Sequence, residues 1–385
     1  MTSFSELGLS KLICSTLKKC NFQQPTEIQT RAIPRILAGE DIMASAQTGS
    51  GKTAAYALPI IECLDEHEKI PRALVLVPTR ELCIQVVEQF ELFSKSRSLQ
   101  TVMVYGGVGY DKQIDKLKKG TDVVVATPGR LLDLLESNAV NLSNIEILVL
   151  DEADRLLDMG FMPQIRRIIA NLSKERQTLM FSATFDSKVQ SLAAQYLIDP
   201  FIIRINVERI EAKEIDQHVY HVHEFDKDDL LLSLLQGHCM ESVLIFTRTK
   251  RKAGWVKDRL RASNVQAEEI HGDISQAQRE KTLTKYRQGK FNVLVATDVA
   301  ARGLDVPQIS HVVNYDLPNS PEDYVHRIGR TGRAGKPGVA FSFVSQEDKY
   351  LVRDIEKYTG RVLDHQAAAE KTVKAQSRRS AVAWA

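Results

Sequence analysis

Short apolar runs punctuate the chain, each followed by a polar or glycine-bearing turn and then by a helical pattern. In the first half they are 42–45, 73–77, 101–105, 123–126, 147–150 and 178–181; in the second, 243–246, 293–296, 311–314 and 338–343. The runs are apolar at successive rather than alternate positions, which predicts strands buried on both faces. Strands of that kind, alternating with helices, build parallel α/β sheets. The segment Gln217–His223 alternates instead and reads as an edge strand. The two halves repeat this plan without obvious residue identity, and 385 residues exceed what one compact core usually holds. Two domains are therefore expected, over 1–205 and 217–363. A hinge is placed at 206–216, where Ile205-Asn206-Val207-Glu208-Arg209 leads into a charged stretch. Residues 364–385 carry Ala, Lys and Ser without a core pattern and read as a flexible basic tail.

Composition narrows the class. At 43% hydrophobic and 26% charged the chain is ordinary for a soluble globular protein. No apolar run reaches membrane-spanning length and no secretion signal opens the sequence. The five cysteines form no CxxC pair and sit in apolar contexts, so buried, reduced thiols and a cytoplasmic location are expected. Net charge is +2, but Lys371, Lys374, Arg378 and Arg379 against Glu370 put +3 in the last 20 residues, leaving −1 for residues 1–365. A whole-molecule field cannot attract nucleic acid here; local loops and helix N-termini must hold any phosphates.

Chemistry enters at Ala46-Gln47-Thr48-Gly49-Ser50-Gly51-Lys52-Thr53. This run follows a strand and opens a helical pattern, as a phosphate-binding loop does, with Ala46 where the general pattern has Gly. Glycines let backbone N–H groups converge on phosphate oxygens, Lys52 supplies charge to the β/γ-phosphates, and Thr53 offers a hydroxyl to Mg²⁺. Asp151-Glu152-Ala153-Asp154 follows the strand run 147–150. Asp151 suits a metal contact, and Glu152 can orient or deprotonate an attacking water. Alone, the acids could equally be a helix N-cap cluster.

Spelled in full, the acidic box makes the chain resemble the DEAD-box RNA helicases, over about residues 4–360 and through a dozen ordered motifs. The run Asp151–Phe161 looks most like bacterial members of the RhlE type. The resemblance implies two tandem RecA-like parallel-sheet domains with a nucleotide and RNA cleft between them, and ATP and Mg²⁺ as cofactors. It also implies an adenine-reading segment within 2–30, where Gln29 would read the adenine edge and Phe22 would stack, with Phe4 as a more distant support. Asn21 stands where family members usually have Gly and can adopt the same left-handed backbone. RNA contacts carry over to Thr79, Arg80, Gly107, Thr127, Pro128, Gly129 and Arg130, at strand ends of the first lobe, and to Gln276, Arg279 and Thr297 in the second. Gly303 and Asp305 would approach the nucleotide. His326, Arg330 and Arg333, at i, i+4 and i+7, read as one helical stripe whose arginines would reach the γ-phosphate, with Arg327 off the stripe and structural. Asp154, Ser182, Thr184 and His326 would couple nucleotide state to lobe closure.

The expected activity is RNA-stimulated ATP hydrolysis that unwinds or remodels RNA duplexes or RNA–protein complexes. RNA would be held mainly by its backbone, with ribosome assembly or RNA turnover as the setting, and the protein is expected to be a monomer. An ATP-dependent RNA clamp with little unwinding uses the same motifs, and a DNA-acting motor is a further alternative. His218, His221 and His223 invite a metal assignment but lack a completing Cys or acid.

Overall fold

The computed structural model describes residues 3–46, 49–64, 66–205, 215–237, 240–301, 309–332 and 337–367. The chain divides into two compact units, Met1–Val207 and Glu208–Ala385. The first holds strands β1 (Ile42–Ser45), β2 (Ala73–Leu76), β3 (Thr101–Val104), β4 (Val123–Ala126), β5 (Ile147–Leu150), β6 (Gln177–Ser182) and β7 (Phe201–Arg204). The second holds β8 (Ile215–His221), β9 (Val243–Thr247), β10 (Ala267–Ile270), β11 (Val293–Thr297), β12 (His311–Asn314), β13 (Gly338–Val344) and β14 (Asp364–Ala367).

The first sheet runs β3-β4-β2-β5-β6-β1-β7 and the second β10-β11-β9-β12-β13-β8-β14. All pairs are parallel. Counted from each unit's own first strand, the two orders are the same, so the halves share one topology as well as one pattern. Both faces of each sheet are covered. Along β2, Ala73 and Val75 enter one core while Leu74 and Leu76 enter another. Along β9, Val243 and Ile245 part from Leu244 and Phe246 in the same way. Continuous apolar runs are the necessary sequence of such strands, because neither side faces water.

Several expectations need correction. Ile215 and Asp216 belong to β8 rather than to a hinge, and residues 206–214 lie outside the described residues. The strand over Gln217–His223 is not at an edge: β8 sits between β13 and β14. Asp364–Ala367, expected as the start of a tail, is the seventh strand of the second sheet, with Asp364 level with His218 and Ala367 with His221; residues 368–385 lie outside the described residues. The histidines join these strands. His218 Nδ1 lies 2.8 Å from Asp364 Oδ2, and His221 Nε2 lies 2.9 Å from His365 Nδ1. Of the cysteines, Cys83 is buried, Cys14 and Cys20 are half-buried, and Cys63 is exposed; Cys239 lies outside the described residues. No described helix is long and apolar enough to cross a membrane.

Candidate functional site

The expected nucleotide residues of the first unit gather where β1, β5 and β6 end. Beyond Ser45 the chain turns through Ala46, Gly49, Ser50 and Gly51 into the helix Lys52–Cys63; Gln47 and Thr48 lie outside the described residues. Gly49 and Gly51 take φ of 88° and 91°, which side chains disfavour. A Cβ on Gly51 would overlap the Gln29 amide nitrogen and lie 3.1 Å from Thr26 Oγ1. Gln29 is therefore packed onto the loop. Its Nε2 donates to the Gly51 carbonyl at 3.2 Å, and its Oε1 accepts from the Thr26 N–H at 3.0 Å, closing a capping box on the helix Glu27–Leu37. One amide N–H and one oxygen lone pair remain, the donor and acceptor an adenine edge requires. Phe22 is half-buried and packs edge-on against Phe93, 5.3 Å between centroids. Asn21 before it takes φ 66°, and Phe4 is buried in the core.

Lys52 is buried, its Nζ 2.5 Å from the Ala46 carbonyl. Burial lowers its pKa, opposed by the charges of Asp151, Glu152 and Asp154. Tyr56, one turn beyond Thr53, donates its phenol to Asp151 Oδ2 at 2.9 Å. Asp151 Oδ1 accepts the Glu152 N–H at 2.9 Å. Burial pushes the Asp151 carboxyl up to about 6, against the pull of Lys52.

Glu152 stands at φ 50°, ψ 52°, left-handed for a side-chain-bearing residue, a strain that functional sites carry more often than other places. Its Oε2 is held by Arg155 Nη1 at 2.7 Å, with both side chains buried. Asp154 Oδ1 and Thr184 Oγ1 are buried without a hydrogen-bond partner among the described residues. Ser182 closes β6; its carbonyl accepts the Ala46 N–H at 3.1 Å, and its hydroxyl accepts the Thr184 N–H at 3.3 Å.

The expected RNA residues of this unit lie at the carboxyl ends of β2, β3 and β4, neighbours in the sheet. Thr79 caps the helix Arg80–Phe93, its Oγ1 accepting the Leu82 N–H at 3.2 Å. Gly107 takes φ 83°, and a Cβ there would overlap the Arg80 guanidinium. Thr127 is the N-cap of the helix Pro128–Glu136 without making a side-chain cap bond, and nothing lies within 4 Å of a Cβ on Gly129. Arg130 Nη2 donates to the Val108 carbonyl at 2.9 Å, and its guanidinium carbon sits 3.8 Å from the Tyr110 ring centroid.

In the second unit Thr297 ends β11 level with Thr247 of β9. Gln276 opens the helix Gln276–Arg287, its side chain outside the described residues, and Arg279 is buried. Gly303, Asp305 and Arg333 lie outside the described residues. The helical stripe is not formed: the helix Pro321–Ile328 ends before Arg330, with Gly329 as its C-cap. His326 and Arg330, four positions apart at the end of this helix, line a recess together with Phe246, Asp298, Asp323 and Arg327. Arg327, expected to be structural, is buried and forks onto Asp298 at 2.6 and 2.7 Å. It also donates to Asn314 Oδ1 at 3.2 Å and to the Asp316 carbonyl at 2.6 Å.

Comparison with known proteins agrees with this geometry. Residues 26–192 match the model of the DEAD/DEAH box helicase family, and 226–335 that of the helicase conserved C-terminal domain. The chain is 44% identical over 359 residues to the ATP-dependent RNA helicase CshA of Listeria monocytogenes, covering 93% of this chain and 69% of that one. It is 41% identical over 364 residues to the DEAD-box ATP-dependent RNA helicase CshA of Geobacillus kaustophilus, covering 94% and 78%. The chain belongs to the DEAD-box helicase family.

Among solved structures, S. cerevisiae Dbp5 bound to RNA and ADP BeF3 matches with TM-score 0.87 at 33% identity, covering 99% of each chain. The DEAD-box helicase Mss116 bound to ssRNA and UDP-BeF matches with TM-score 0.85 at 28% identity, covering 95% of this chain and 80% of that one. The CshA relatives make the family secure, whereas the RhlE likeness concerned a subtype. For a DEAD-box chain, the residues that sequence reasoning missed are those that place the motifs. Arg155 stands three positions after Glu152, a spacing at which helical side chains meet and so a signal that was available; Tyr56 reaches Asp151 from 95 positions away, which no local spacing signals.

Proposed function

We propose that this chain couples ATP binding and hydrolysis to local unwinding or remodelling of RNA duplexes or RNA–protein complexes. The observation that carries this reading is the convergence of Lys52, Tyr56 and Glu152 on the buried Asp151 carboxylate beside the phosphate loop. Lys52 and the loop N–H groups would bind the β- and γ-phosphates, and Gln29 the adenine edge. Thr53 and Asp151 would hold Mg²⁺. They offer hard oxygen donors, and a carboxylate whose burial disfavours its charge is one that a cation at that position would relieve. When bound, Mg²⁺ supplies charge neutralisation on the phosphates. Glu152, steadied through Oε2 by Arg155, would orient the attacking water and accept its proton through Oε1. Arg330, joined by Arg333, would stabilise the γ-phosphate charge in the transition state, with Gly303 and Asp305 beside the nucleotide.

Thr79, Arg80, Gly107, Thr127, Pro128, Gly129 and Arg130, with Gln276, Arg279 and Thr297, would hold the RNA backbone. Asp154, Ser182, Thr184 and His326 would tie nucleotide state to RNA grip. Residues 1–205 serve as the ATP-binding domain and 217–363 as its helicase partner in this reading. It includes a cytoplasmic monomer acting in ribosome assembly or RNA turnover.

Hydrolysis measured with and without single-stranded RNA tests it. The expected result is RNA-stimulated turnover, lost on chelating Mg²⁺ and lost in Glu152→Gln while ATP binding persists. Absence of stimulation by RNA refutes the reading, and retained turnover in Glu152→Gln removes that residue from its role. Strand displacement on a short duplex, set beside RNA retention with a non-hydrolysable ATP analogue, separates unwinding from clamping.

A further inference from the structure

Arg130 is paired in an unusual way. Its side chain is nine-tenths buried, at 8% exposure, yet Nη1 has no hydrogen-bond partner, and no carboxylate lies within ion-pair distance among the described residues. An acid is close in sequence. Asp133 follows three positions later on the same helix, a spacing at which Arg and Asp ordinarily pair. It accepts instead from the Tyr110 phenol, 3.1 Å from Oδ2. The face of the Tyr110 ring meanwhile covers the Arg130 guanidinium at 3.8 Å. Tyr110 itself is 45% exposed, an aromatic in the loop after β3 that core packing does not require.

We propose that Tyr110 is a positioning residue for RNA binding, which holds the Arg130 guanidinium at the sheet edge and keeps Asp133 from neutralising it. This rests on the reading of Arg130 as a contact to the RNA backbone. The chemistry divides between two parts of one side chain. The ring's negative face attracts the guanidinium without cancelling its charge, as a carboxylate would. The hydroxyl satisfies the acid next door. Among the described residues no carboxylate therefore neutralises the guanidinium, and its Nη1 is buried without a hydrogen-bond partner at the start of the helix Pro128–Glu136. There Thr127 caps nothing with its side chain, and the first backbone N–H groups also favour an anion. A phosphate of single-stranded RNA supplies the oxygen partners this corner lacks.

The test is RNA-stimulated ATPase with a single-stranded homopolymer, titrated at several salt concentrations, for wild type, Tyr110→Ala, Tyr110→Phe and Tyr110→Ala/Asp133→Asn. In Tyr110→Ala, Asp133 is free to pair with Arg130. The RNA concentration for half-maximal stimulation is then expected to rise about ten-fold, the upper range for a partly desolvated cation–π contact. Turnover at saturating RNA should stay within about two-fold. Losing one neutralised phosphate should also flatten the slope of log affinity against log salt by about 0.7. Adding Asp133→Asn should restore most of the salt slope, a rescue that a merely structural tyrosine would not show. Tyr110→Phe, which keeps the ring and frees Asp133, should fall between wild type and Tyr110→Ala.

An unchanged half-saturation in Tyr110→Ala overturns the proposal, and so does a loss that Asp133→Asn leaves untouched. Wild-type protein that RNA does not stimulate at all overturns the underlying reading instead, so the two failures are distinguishable.

Discussion

Substituting Gly51 by Ala tests whether the phosphate loop and the adenine segment are one packed unit. Three costs follow from the geometry. Gly51 takes φ 91°, and an L side chain in left-handed backbone costs about 1–2 kcal/mol. The new methyl overlaps the Gln29 amide. Displacing that side chain breaks the capping box on Glu27–Leu37, worth about 1 kcal/mol. The amide also leaves a site where Gln29 is only 2% exposed, and an unpaired buried polar group costs about 1–3 kcal/mol. Together these predict a loss of about 3–6 kcal/mol from the first unit.

Only the first cost is intrinsic to position 51. In a Gln29→Ala background the methyl finds room, and Gly51→Ala should cost about 1–2 kcal/mol there. A double-mutant cycle by denaturant unfolding should therefore return a coupling of about 2–4 kcal/mol between residues 29 and 51. The protein offers a built-in control: its tryptophans, Trp255 and Trp384, both lie beyond residue 207. Far-UV circular dichroism should show the shifted transition while tryptophan fluorescence, which follows the second unit, stays in place. Additive costs, with no coupling beyond about 0.5 kcal/mol, would refute the claim that Gly51 is kept small by Gln29.

Other expectations are briefer. Gly107→Ala, at φ 83° and against the Arg80 guanidinium, should displace Arg80 and weaken RNA binding several-fold while nucleotide affinity, measured with a fluorescent ATP analogue, is unchanged; an equal loss of both would count against it. Arg327→Leu leaves Asp298, 27% exposed, without its buried fork and should destabilise the second unit by about 2–4 kcal/mol, somewhat under the cost of breaking a fully buried pair. A fluorescence-detected midpoint unmoved by that change would show the network to be dispensable. Burial pushes the Cys83 thiol up to about 12, so it stays protonated through pH 10 in the folded protein. Iodoacetamide at pH 8 should modify the exposed Cys63 and reach Cys83 only on unfolding; mass mapping that finds Cys83 labelled under native conditions would contradict this burial.

Most of the sheet framework was legible because strands covered on both faces must be apolar at every position. Strands β1 to β6, β9 and β11 to β13 announce themselves in this way. Of the strands at or near the sheet margins, β3 is thus legible, but β8, β10 and β14 are not. At the margin of the first sheet, β7 exposes two of its four residues. It does carry the apolar run Phe201-Ile202-Ile203, but at the margin of the second sheet β14 reads Asp-His-Gln-Ala, with no apolar run to mark it. The shared strand order shows where such a strand belongs in each half, but pairing must be known before that order can be used.

The chemistry of the site divides along the same line. The residue types that bind phosphate, read adenine and activate water were set by the sequence, since Lys52, Gln29, Asp151 and Glu152 owe their chemistry to identity and to place beside a strand. Which groups hold them was decided by tertiary structure. Tyr56 reaches Asp151 from a helix 95 positions earlier, and Gln29 folds onto Gly51 from 22 positions away. The recess that His326 and Arg330 line is completed by Phe246 and Asp298, from outside the helix Pro321–Ile328. Spacing along a chain constrains only neighbours within a turn or a strand. Contacts that close long loops depend on how sheets and helices pack, and the chain does not spell those out locally.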